Sequence, residues 1–169
     1  MNKYSYQKQR GATLIISMIF LLILSIIGLA GMDVTGLEER MAGNMRDRNI
    51  AFQAAEAALR DGENYLESIV VLPTFDGTNG LYSLPADGTK NWEEVDWSDS
   101  TEVRDYSGSG FNELADNSSY IIEDLAAAAA SDSLEVGVPA DTTRFYRVTS
   151  RAEGLTDTTE VIIQTVYKR

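Results

Sequence analysis

The chain has 169 residues and a formal net charge of −12, and it contains neither cysteine nor histidine. That length leaves room for one modest folded domain beside any membrane segment, and so acidic a body should repel phosphate backbones, which argues against a nucleic-acid role. The two missing residue types exclude a disulfide framework, a thiolate metal site, a Cys nucleophile, the commonest zinc ligand and a Ser-His-Asp triad; carboxylate-only chemistry stays open, but no spacing singles out a pair.

The first element is apolar. From Ala12 to Met32 the sequence runs ATLIISMIFLLILSIIGLAGM without a charged residue, and as a helix it would span roughly 30 Å, the thickness of a bilayer's hydrocarbon core. Lys3, Lys8 and Arg10 precede it, whereas Asp33, Glu38 and Glu39 follow it. The positive-inside bias therefore keeps the N-terminus cytoplasmic and exports the rest. A secretory signal peptide has a shorter apolar core followed by an A-x-A-like site, and neither condition is met. The punctuation here is Gly11, which stands before the apolar run. A cut after Gly11 would leave the hydrophobic helix as the new N-terminus and shift the formal charge to −15, because three cations leave with the leader.

Those residues resemble a known signal. Gln9-Arg10-Gly11-Ala12-Thr13-Leu14-Ile15 is similar to the type III signal of type IV pilins, in which a basic leader ends in Gly and a T-L-I start follows. Further on, Glu38-Glu39-Arg40-Met41-Ala42-Gly43-Asn44-Met45-Arg46-Asp47-Arg48 and Phe52-Gln53-Ala54-Ala55-Glu56-Ala57-Ala58-Leu59-Arg60 resemble the N-terminal region of PilX-type minor pilins. The resemblance covers roughly the first 63 residues. It implies cleavage after Gly11 by a prepilin peptidase, methylation of Ala12, and an assembly helix that includes Glu38, Glu39, Arg40, Arg46 and Arg48. The chain departs from most pilins at the fifth mature position, where their Glu is thought to neutralise a neighbouring subunit's N-terminal amine. Ile16 stands there instead. An unpartnered amine in hydrocarbon is costly, so a subunit without that Glu is a poor repeating unit and belongs at a filament tip.

Past the membrane, Phe52, Ala55, Leu59, Gly62, Leu66 and Ile69 recur at spacings of three and four, which predicts that the helix continues with one apolar stripe to about Val71. Gly28, Gly31, Gly36 and Gly43 lie within it and mark either close packing against neighbours or sites of bending. Pro73, Asp76-Gly77 and Asn79-Gly80 end the pattern.

Residues 74–116, rich in Gly, Ser, Asp and Asn, read as long loops with at most short strands or turns. Tyr120 to Leu125 is a strand candidate, and Ala126 to Ala130 is assigned a short helix. Arg144 to Arg151 and Thr159 to Lys168, rich in β-branched and aromatic residues, read as an antiparallel hairpin, with Tyr146, Val148, Val161, Ile163 and Tyr167 on the face that covers the helix stripe. The expected fold class is α+β and pilin-like, a long N-terminal helix against a small antiparallel sheet. The expected organisation is a cleaved leader over 1–11, a transmembrane half-helix over 12–33, an amphipathic half over 34–72 and an exported head over 73–169.

The acidic run Glu93, Glu94, Asp96, Asp99, Glu102 and Asp105 offers oxygen ligands but lacks the EF-hand pattern, so it reads as a solvated loop and no metal or cofactor is expected. Trp92, Trp97 and Tyr106 interleave with it either as interface anchors or as core filling. Asn117-Ser118-Ser119 fits a glycosylation pattern too short to carry weight. Glu38, Glu39, Arg40, Arg46, Asp47 and Arg48 are spaced to pair along the helix or with adjacent subunits.

The resemblance implies a non-enzymatic minor pilin of a type IV pilus tip complex, which primes assembly, presents a tip adhesin and supports twitching motility and adhesion. Its partners would be the prepilin peptidase, the inner-membrane assembly platform, the other minor pilins, the major pilin and the adhesin. A K-type minor pseudopilin of type II secretion shares the leader, helix and missing Glu but usually carries a larger inserted domain. A signal-anchored periplasmic enzyme is the third alternative.

Overall fold

The computed structural model describes residues 11–111, 113–125 and 144–169. The leader residues before Gly11 and the short helix expected over Ala126 to Ala130 lie outside the described residues.

One helix, α1, runs from Ala12 to Ser68 without interruption, through Gly28, Gly31, Gly36, Gly43 and Gly62. The chain then forms β1 (Leu81–Ser83), a single turn of helix α2 (Asn91–Glu94), β2 (Arg104–Asp105), β3 (Ser119–Asp124), β4 (Phe145–Glu153) and β5 (Glu160–Lys168). Two compact units result, one ending at Asn44 and the other spanning Met45–Arg169.

In the first unit every described residue from Ala12 to Asn44 is exposed. This helix is long and apolar enough to cross a membrane, with a mean hydropathy of 2.8 over its most apolar window. Three of its hydroxyls are satisfied within the helix: Ser17 donates to the Leu14 carbonyl at 2.8 Å, Ser25 to Leu21 at 2.8 Å and Thr35 to Gly31 at 3.1 Å. Such back-bonding satisfies these three hydroxyls without water.

The second unit is built on the remainder of α1. Its buried positions are Asp47, Ala51, Ala54, Ala55, Ala58, Gly62 and Leu66, a single stripe at helical spacing. Small residues dominate it, so the sheet can approach the helix closely. Phe52, expected on the stripe, lies about a quarter-turn off it and is exposed, because Ala51 and Ala55 take the inward positions. The helix stops at Ser68, short of the expected Val71: Ile69 makes the last i to i−4 bond, to Tyr65 at 3.2 Å, and the Arg169 guanidinium takes its carbonyl. Leu72 and Phe75 then fold back on the core, where Phe75 stacks on Tyr146 at 5.7 Å.

The sheet order is β1-β3-β4-β5, with β2 also pairing β3. All pairings are antiparallel except that of β1, which runs parallel to β3 with Leu81 opposite Ile122. The expected hairpin is β4–β5, in continuous register from Phe145 opposite Lys168 to Glu153 opposite Glu160. Its inward face meets the helix as expected: Tyr146, Val148 and Tyr167 pack with Leu66, Ala58 and Tyr120, while Val161 and Ile163 pack with Ala54, Ala55 and Ala152. Ser150 Oγ fastens the seam by donating to the Ala55 carbonyl at 2.8 Å.

The stretch from Trp92 to Val103 covers the opposite face of the sheet. Val95, Val103, Trp92, Trp97 and Tyr82 enclose Ile121, so β3 is buried on both sides. Both tryptophans therefore fill core, and Trp97 Nε1 donates to the Trp92 carbonyl at 3.2 Å.

Candidate assembly interface

Gly11 is the last residue before the helix and adopts a φ of +79°, with Ala12 as the first helical residue. A peptide bond at this junction lies outside regular structure, the kind of segment a peptidase can reach. Ile16 is on the first turns and 53 % exposed, so no carboxylate stands near the start of the helix. An added Cβ at Gly28, Gly31, Gly36 or Gly43 would meet nothing within 4 Å, so any close packing there comes from another molecule.

Glu38, Glu39, Arg40, Arg46 and Arg48 are all exposed, and among the described residues none of them forms an ion pair or hydrogen bond. Pairing along the helix is therefore not realised, and both signs of charge are left exposed. Glu39 and Arg46, seven residues apart, lie near one line along the helix.

Asp47 behaves differently from this set. It is 8 % exposed and sits on the buried stripe, where its carboxylate accepts from the Leu155 backbone N–H at 2.5 Å and from Thr156 Oγ1 at 2.7 Å. Hydrogen bonds from the Thr159 and Thr156 side chains, with backbone N–H groups behind them, hold its pKa below the ordinary carboxylate value. The Gly154 backbone lies so close that a Cβ there would come within 2.4 Å of Asp47 Oδ1. One helical carboxylate thus clamps the β4–β5 turn at the point where α1 enters the folded head. Sequence reasoning grouped Asp47 with its charged neighbours and missed this. The signal was present, because Asp47 stands one turn before Ala51 on the same stripe.

The acidic loops reveal a second pattern. In Asp76-Gly77-Thr78, Asp87-Gly88-Thr89, Asp96-Trp97-Ser98 and Asp99-Ser100-Thr101, each Asp Oδ1 accepts both the backbone N–H and the hydroxyl of the residue two positions on. The hydroxyl distances lie between 2.6 and 2.8 Å. These bonds lower the pKa of all four carboxyls. The acids serve as turn fasteners, and among the described residues no group of three or more acidic side chains converges as a metal site would require.

An open groove of about 480 Å³ runs beside α1 and β2 and is lined by Asp61, Tyr65, Arg104, Ser107 and Tyr120 among others. Its groups are engaged with one another: Arg104 lies 4.0 Å over the Tyr65 ring, and Ser107 Oγ donates to Asp61 at 3.0 Å. The apolar helix and the charged turns that follow it are exposed and suit protein and lipid contacts.

No curated protein and no solved structure matches the chain. Two family models do: PilX N-terminal over residues 10–60, and type IV pilus assembly protein PilX C-term over residues 61–169. With these matches side by side along the chain, and an exposed apolar helix leading into a helix-on-sheet head, the chain belongs to the PilX family of type IV pilus minor pilins.

Proposed function

We propose that this chain is cut after Gly11, methylated at Ala12, and held in the inner membrane by residues 12–33 with its head outside until it joins the tip complex that primes pilus assembly. There it sits with the other minor pilins above the major pilin, presents a tip adhesin, and so supports twitching motility and adhesion. Prepilin peptidase and the inner-membrane assembly platform act on it beforehand. It works as a structural subunit and catalyses nothing. The observation that carries the tip placement is Ile16 in place of a carboxylate on an exposed apolar helix, since a helix unable to neutralise a neighbour's amine fits where no repeating contact of that kind is made. The unpaired Glu38, Glu39, Arg40, Arg46 and Arg48 support helix-to-helix contact with adjacent subunits.

The test is intact mass and N-terminal sequencing of the chain from membranes and from sheared filaments. A methylated Ala12 start, with trace amounts in the filaments, is expected. An intact Met1, or a start far beyond Met32, overturns the reading.

A further inference from the structure

The last strand closes the sheet on one side only. β5 pairs with β4 along one edge, and among the described residues nothing hydrogen-bonds to the backbone of its other edge. Which groups face outward follows from the ladder. Arg144 and Arg169 exchange both backbone bonds at 2.9 Å, and Gly154 donates to the Thr159 carbonyl at 2.9 Å, so the odd-numbered residues of this strand face β4. Glu160, Ile162, Gln164, Val166 and Lys168 therefore turn their N–H and C=O groups to the open edge. Folded proteins usually blunt such an edge with charge, proline or a bulge. This one has an unbroken register, no proline, and charges only at its two ends, with Val-Ile-Ile-Gln-Thr-Val-Tyr between them.

The sequence of that edge is complementary to itself. Antiparallel pairing with a second strand about Gln164 sets Glu160 opposite Lys168, Ile162 opposite Val166 and Gln164 opposite Gln164, all on the face away from the helix. On the helix-facing side, Val161 meets Tyr167 and Ile163 meets Thr165. Only the even-numbered pairs can exchange backbone bonds at an open edge of this parity, and the two-fold register uses those pairs throughout, giving about ten new bonds. Glu160 already accepts from Arg151 Nε at 3.0 Å through Oε1, and no bond is formed by its Oε2 among the described residues. Val166 is 59 % exposed and Lys168 is exposed, so both are accessible to a partner.

We infer that β5 is a docking edge for a second copy of this chain, joining two heads through an antiparallel β5–β5 pair centred on Gln164. Opposite charges at both ends fix the register, because a shift by two residues removes both Glu–Lys oppositions. The inference rests on the strand alone and is independent of tip placement or leader processing.

Because the chain has no cysteine, single cysteines report the register directly in the full chain reconstituted in vesicles. The two Gln164→Cys copies would lie about 5.5 Å apart, within disulfide reach, whereas two Val166→Cys copies would be about 14 Å apart. Mild copper-phenanthroline oxidation should give a covalent dimer with Gln164→Cys, about tenfold less with Val166→Cys alone, and recovery when Ile162→Cys and Val166→Cys chains are mixed. Adding Lys168→Glu to Gln164→Cys should lower the dimer about tenfold, and the swap Glu160→Lys with Lys168→Glu should restore it. Equal yields at 164 and 166 would reflect collision through the anchors and overturn the inference. Absence of dimer from a variant whose near-UV spectrum shows a folded head would overturn it too.

Discussion

Gly62 is where α1 and the sheet come closest, and replacing it by alanine sets two known effects against each other. Alanine in a helix interior is worth about 1 kcal/mol over glycine. Against that, a Cβ at position 62 would lie 2.7 Å from Val148 Cγ1 and 3.0 Å from Tyr120 Cδ2. Neither neighbour can yield easily: Val148 is fully buried and stiff at χ1, and Tyr120 is wedged between Leu66 and Ile122. The seam must open instead, an overpacking cost of about 2–3 kcal/mol, so Gly62→Ala should be destabilising by about 1–2 kcal/mol and lower Tm by roughly 4–8 °C. Thermal unfolding of the detergent-solubilised full chain, followed by the near-UV signal of Trp92 and Trp97, measures the head alone. Gly43→Ala, with nothing within 4 Å of its Cβ, is the control and should not lower Tm. Val148→Ala should cost about 2 kcal/mol by itself, yet in combination with Gly62→Ala the loss should be well below the sum. A Gly62→Ala head as stable as wild type would mean that the helix and sheet are not in this contact.

Acidification should unfold the head in a way that depends on Asp47. Its folded pKa lies below the ordinary 3.8, so its contribution is present above that value and lost as pH falls through the folded pKa; Asp47→Asn should flatten the stability–pH curve below about pH 4. An unchanged slope would remove the clamp from the argument. Arg147→Ala should destabilise by about 1–3 kcal/mol, because Glu123 is fully buried and accepts from Arg147 Nη1 at 3.4 Å and Asn91 Nδ2 at 2.9 Å, and it would keep only the amide. In cells, Gly11→Val should leave the leader on and abolish assembly, read by mass and pilus number. Ile16→Glu should raise the copies found in sheared filaments; unchanged copies would count against a tip role set by this position.

The elements that sequence located well carry their own physics. An uncharged run from Ala12 to Met32 has no stable alternative to a helix in hydrocarbon, and the β-branched runs of β4 and β5 around Gly154 and Asp157 leave little but a hairpin. The weaker readings failed where partners far along the chain decide the outcome. Phe52 is apolar and fits the period, but the sheet packs on the line of Ala51, Ala54, Ala55 and Ala58 and leaves it exposed. Residues 74–116 form the loops and short strands expected of them, but their order comes from local Asp-to-hydroxyl fasteners and from burial on β3, neither of which produces a hydrophobic period.

The sequence by itself determined the long apolar helix, the candidate cut after Gly11, the missing carboxylate at Ile16, the absence of histidine and cysteine, and the hairpin, because each depends on residues adjacent in the chain or on composition alone. Only the tertiary structure decided that Asp47 leaves the charged set to clamp a turn more than 100 residues away, that Trp92 and Trp97 fill a second core, and that no strand among the described residues pairs with the outer edge of β5. Those outcomes depend on which long-range surfaces meet and at what angle, and period and charge along a chain carry little information about either.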